Sequence, residues 1–169
     1  MKPQKVILGL FDVIQHTIEN NHPNLKYDRR EDGWKLVEHI ALSLKSFADL
    51  ELSPILKERE HYVRGVEILE RAEDLGPRLG QEDAEWILER KEEIPESLKP
   101  FEILFTGTVW LELRGGTLTV PSLWFGREKY GLPDEWQLSF AGLHRPHHNS
   151  GLLVQPHKQR KEVIKNGGE

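Results

Sequence analysis

The chain has 169 residues, of which 37% are hydrophobic and 30% charged, with 23 Lys and Arg against 28 Asp and Glu for a formal charge of -5. That composition belongs to a soluble globular chain with one modest core, and zero cysteines exclude disulfides, thiolate metal sites and thiol nucleophiles, so any metal must be held by His, Asp or Glu. The longest apolar run, Val6 to Phe11 with Gly9 inside it, is far short of the roughly 20 residues of a membrane span, and no small-residue cleavage pattern follows it, so a cytoplasmic setting without membrane contact is expected.

In chain order, residues 5–20 place Ile7, Phe11, Ile14 and Ile18 on one helical face, and Asn20-Asn21-His22-Pro23-Asn24 supplies turn chemistry. Asp32 can cap a second helix with the stripe Leu36, Val37, Ile40, Ala41, Leu44, Phe47 and Ala48, from which His39 sits apart. Ser53-Pro54 opens a third, striped by Ile55, Tyr62, Val63, Val66 and Leu69 and ended by Gly76-Pro77. His61 falls off its apolar face, and Glu58, Arg59, Glu60, Arg64, Glu67, Glu70 and Arg71 read as an outward, salt-bridge-laced surface. A fourth helix runs over about 81–93, where Glu82, Asp83 and Glu85 complement the positive end of the helix dipole.

After Pro100 the period changes from 3.6 to 2. Phe101, Ile103 and Phe105 alternate with polar or outward residues, as do Val109, Leu111 and Leu113. Gly115-Gly116 predicts a two-residue hairpin turn pairing Leu113 with Leu118 and Leu111 with Val120. Trp136, Leu138 and Phe140 give another strand, and Leu152 to Val154 a short one. The expected fold class is therefore α+β: three or four N-terminal helices (1–100) packed with a small C-terminal antiparallel sheet (101–155), followed by a basic tail (156–169).

Charge is segregated along the same line. Residues 51–102 carry fifteen acids and eight bases, whereas residues 103–169 carry six acids and eight bases.

The densest group of ring nitrogens is His144, His147 and His148, beside Arg145. Imidazole is the commonest metal ligand, so a divalent transition metal is one candidate cofactor. Pro146 and Gly151 oppose the helical i,i+4 spacing that would gather these rings, and the same residues with Arg145 also suit phosphate. Lys158, Arg160 and Lys161 form a basic cluster fit for an acidic partner or a nucleic-acid backbone. Trp124, Phe125 and Tyr130 interleave with bases as a stacking or partner-binding surface would. No serine lies in a nucleophile elbow, and Gly126 and Gly131 are not followed by the Lys and Ser or Thr of a phosphate loop. These observations favour a non-catalytic interaction protein, an adaptor or small subunit of a larger cytoplasmic assembly with a protein partner. The alternatives are an enzyme built on His144, His147 and His148, and a nucleic-acid-binding accessory protein built on the basic C-terminus.

Overall fold

The computed structural model describes residues 23, 25–128, 131–148 and 150–157. Nine strands and two α-helices lie among them. The strands are β1 (Trp34–His39), β2 (Leu50–Pro54), β3 (Val63–Arg64), β4 (Glu102–Leu104), β5 (Thr108–Glu112), β6 (Thr117–Phe125), β7 (Trp136–Gly142), β8 (Pro146–His147) and β9 (Gly151–Pro156); the helices are α1 (Gly65–Leu75) and α2 (Gln81–Leu88). No helix among the described residues is long and apolar enough to cross a membrane.

β6 organises the main sheet. One edge carries β7 along residues 119–125, and the other carries β4 and β5 end to end, with Leu104 opposite Ser122 and Trp110 opposite Thr119. β1 then flanks β5, while β9 flanks β4 and β2 flanks β9, giving the order β1-β5-β6-β4-β9-β2. The sheet is mixed, because β9 runs parallel to β4. Between β4 and β5 the chain leaves the ladder at Thr106 and Gly107, and Gly107 bonds instead to Leu79 and Ile40, each at 2.8 Å. A Cβ at Gly107 would lie 2.8 Å from the Leu79 backbone, so the close approach requires glycine. Pro121, in the middle of β6, sits opposite this break. Its carbonyl accepts the Phe105 N–H at 2.9 Å, but proline has no N–H to return, so the pairing is one-sided where the chain departs.

Successive residues feed opposite faces, as a pleated strand demands. Leu104, Val109, Val120, Ala141 and Leu153 join Ile68 and Ala72 of α1 on one side. Ile103, Leu123, Trp136 and Val154 join Ala84 and Ile87 of α2 on the other. At about 25 cal/mol per Å² of apolar area removed from water, two such faces are the main stabilising term.

The fold class differs from the expected helices-then-sheet arrangement: the first hundred residues contribute three strands and only two helices among the described residues, to a core that is mostly sheet. The predicted second helix is β1 and a following loop. Leu36 packs with Trp110 while Val37, in the bulge between Leu36 and Glu38, packs on the α1 side, an arrangement that a one-faced helix stripe cannot make. The predicted third helix begins twelve residues late, at Gly65. Pro54 ends edge strand β2 opposite Leu152, and Ile55 is buried beneath Gly151. Arg71, expected on the surface, turns inward: it donates to Glu60 at 2.7 and 2.8 Å and to the Ile55 carbonyl at 2.5 Å, holding the connection into β3 against α1.

The predicted hairpin exists in a different register. Leu111 pairs with Leu118 and Glu112 with Thr117, leaving a four-residue loop closed by Gly116 N–H to the Glu112 carbonyl at 2.8 Å, with Gly116 at φ +64°. The two-residue slip preserves the facing of every side chain, so the apolar pattern could not discriminate between the registers. β7 and β9 coincide with predicted strands. The helix expected at 5–20 lies outside the described residues.

Candidate functional site

Two places concentrate ionisable side chains, and they differ in what those groups touch. At the start of α2 the acids are consumed by backbone. Asp83, fully buried, accepts N–H bonds from Ser43, Leu44 and Gly80, all at 2.9 Å. Glu85 accepts from Lys26 and Tyr27 at 3.0 and 3.1 Å, and Glu82 from Leu42 at 2.7 Å. Gln81, also fully buried, donates to Glu85 and accepts the Trp110 indole N–H at 2.8 Å.

This cluster contains a hydroxyl–imidazole pair that sequence reasoning missed, because His39 and Thr108 lie 69 residues apart. Thr108 Oγ1 accepts the Gln81 N–H at 2.8 Å and lies 3.0 Å from His39 Nδ1, within hydrogen-bond distance of the ring. Nε2 is buried and 3.5 Å from Glu82 Oε1, beyond good hydrogen-bond reach. Burial holds the His39 pKa below the ordinary imidazole value, with the Glu82 carboxylate partly offsetting it. Thr108 is sealed from solvent and held between the Gln81 N–H and the His39 ring, so the pair braces the fold.

The second place lies where β3 meets β8. Arg64 pairs with Pro146 and Val63 with His147. Val63 enters the core, while Tyr62 and Arg64 point the other way, as strand alternation requires. They line an open cleft of about 540 Å³ together with Val66, Leu143, His144, Arg145, Pro146 and His148. Its volume falls in the range of ligand sites. Gly65 makes the cleft geometrically feasible: a Cβ there would stand 2.2 Å from the Leu143 carbonyl oxygen, so only glycine lets α1 start this close to the turn that carries the histidines.

Charge in this cleft is unanswered. No carboxylate lines it, and neither Arg64 nor Arg145 forms an ion pair among the described residues. Tyr62 and Val66 are 56% and 48% exposed, although both belong to the stripe that the sequence assigns to a helix core.

The predicted site residues are thus divided. His144, Arg145 and His148 share the cleft, whereas His147 turns back to the Gly142 carbonyl at 3.1 Å. His144 Nε2 accepts from Arg145 Nε at 3.1 Å, and His148 Nδ1 donates to the His61 carbonyl at 3.2 Å. Each ring has a separate partner, and among the described residues no group of three or more His, Asp or Glu side chains is arranged to hold a metal. Trp124 and Phe125 line a different groove, of about 420 Å³, with Lys99, Phe101, Glu102, Arg127 and Ser139. Tyr130, Lys158, Arg160 and Lys161 lie outside the described residues. Arg64, Tyr62 and Val66 carried no sequence signal of their own beyond being an apolar stripe interrupted by a base; their role depends on pairing with a turn some eighty residues away.

Compared with protein-family models, curated proteins and solved structures, the chain finds no match.

Proposed function

We propose that the protein is a non-catalytic interaction module, an adaptor or small subunit of a cytoplasmic assembly, which binds an acidic segment of a partner protein in the cleft between β3, the start of α1 and residues 143–148. The observation that carries this reading is that Arg64 and Arg145, which form no ion pair among the described residues, share the cleft with exposed Tyr62 and Val66 and with no carboxylate among its described lining residues. Guanidinium forks take carboxylates bidentately, and the neighbouring apolar surface rewards a side chain such as Leu or Phe beside the acid. On a chain whose formal charge is -5, a local cationic cleft selects an acidic ligand by contact rather than by bulk attraction.

The test is a titration of isotope-labelled protein with a synthetic peptide of alternating Glu and Leu, and with its Gln counterpart. Amide shifts confined to residues 62–66 and 143–148 are expected for the Glu peptide alone, and they disappear in the Arg64→Glu, Arg145→Glu double variant. Equal response to both peptides, or an undiminished response in the double variant, overturns the assignment.

A further inference from the structure

The groove at the far ends of β6 and β7 is a separate surface, independent of the acidic-segment reading. Trp124 and Phe125 occupy successive positions at the end of β6, and Trp124 stands opposite Gln137. Their side chains therefore leave opposite faces of the strand. Phe125 meets Trp136 edge-on at 5.7 Å, fixing its ring, and Lys99 Nζ lies 4.3 Å over the Phe125 ring. Trp124 is half-buried and shares the groove with Phe101, Ser139, Ser150, Lys99 and Arg127. The Arg127 guanidinium forms no ion pair among the described residues; Lys99 is bound to Glu96 at 2.7 Å, and Glu102 is the lining carboxylate. Across the ladder from Ser139, the Ser122 hydroxyl is fully buried with no hydrogen-bond partner among the described residues.

We infer that this groove is a nucleotide-binding site, in which a nucleobase stacks on Trp124 and its phosphate meets Arg127. An indole face held by its strand suits any base, since each has a π surface, and a free guanidinium beside it supplies the phosphate partner. Ser139 and Ser150 can donate to base or sugar oxygens across the same groove. The chain's formal charge of -5 means that affinity comes from stacking and about one phosphate contact, not from a basic face. The recognised unit is a base with its phosphate, whether free or within a single strand.

The experiment is fluorescence anisotropy of end-labelled octathymidylate with the full chain at about 50 mM salt, with thymidine monophosphate as competitor. Binding is expected with a shallow salt dependence. Trp124→Ala weakens it about tenfold, and Arg127→Glu weakens it and flattens the salt slope by about one, whereas Arg114→Glu, an equal charge change in the exposed 113–116 loop, leaves it unchanged. Arg127 belongs to neither core cluster, so that variant decides the matter if Trp124→Ala lowers stability. Full competition by the monophosphate assigns a free nucleotide, and binding of the oligomer alone assigns a single strand. No binding of either probe, or binding equally weakened by Arg114→Glu and Arg127→Glu, overturns the inference.

Discussion

Both α-helices open on an acidic third residue that accepts the N–H of the residue before the helix, Glu67 from Arg64 and Asp83 from Gly80, but their surroundings differ. At α2 the neighbouring loops bring six backbone N–H groups to three carboxylates, those of Glu82, Asp83 and Glu85, so every negative charge in the first turn is matched by donors of the protein itself. At α1 the neighbouring turn is brought against Gly65, yet the guanidinium groups of Arg64 and Arg145 meet no acid among the described residues. Charges satisfied inside the fold hold it together; charges left facing a cleft are available to something else. Charged side chains beside a helix start therefore serve stability at α2, and at α1 they are left facing a cleft.

Asp83→Ala tests the first half of that contrast most severely. Three buried or half-buried N–H groups lose their acceptor, and urea denaturation is expected to register a loss of at least about 3 kcal/mol. Asp83→Asn, which retains one acceptor oxygen, should lose less. A cost below about 1 kcal/mol for the alanine variant would mean that these loops find water instead.

Gly65→Ala comes next. In an open helix the exchange would stabilise by about 1 kcal/mol, but here the new methyl meets the Leu143 carbonyl, so a net loss of about 1–3 kcal/mol is expected. The variant should also lose peptide response at residues 143–148 before it loses the far-side core. An unchanged or raised urea midpoint would show that the turn moves away without cost.

His39 supplies a smaller effect, visible in pH. Burial holds its folded pKa below the unfolded value of about 6.5, with Glu82, Asp83 and Glu85 opposing that shift. The unfolded chain therefore takes up the proton first, and stability falls as pH drops from about 6.5 toward the folded value, below which this contribution is constant. His39→Gln should flatten the stability difference between about pH 7.5 and about pH 5.5. An unaltered pH slope in the variant would place the titration on another group.

The smallest effect on stability belongs to the cleft. Arg64→Glu with Arg145→Glu should change the urea midpoint by no more than about 0.5 kcal/mol of stability while abolishing binding of the acidic peptide. A large destabilisation would instead assign these arginines a structural role like that of Arg71.

Parts of the fold were legible locally: β7 lies where the period of 2 placed it, β9 where the apolar run Leu152 to Val154 did, and α2 begins at Gln81 as its acidic first turn indicated, though it ends at Leu88 rather than near residue 93. The stretch from β1 to the start of α1 was not. Leu36, Val37, Ile40 and Leu44 mimic a helical stripe, but β1 is fixed by hydrogen bonds to β5, some seventy residues downstream, and Leu44 by the bond from its N–H to Asp83. Tyr62 and Val66 looked like core because apolar spacing says nothing about which face finds a neighbour. Of the candidate site, His144, Arg145 and His148 were visible as a cluster, while Arg64 was hidden among surface charges until β3 paired with β8.

By itself, the sequence determined local geometry: where glycine permits a turn, where alternation favours a strand, and the absence of thiol chemistry. Tertiary structure decided which charges are satisfied and which are exposed. Hydrogen-bond partners tens of residues apart leave no period in the chain, so whether a carboxylate or guanidinium meets a backbone amide, an opposite charge or open solvent is settled only when the sheet closes around it.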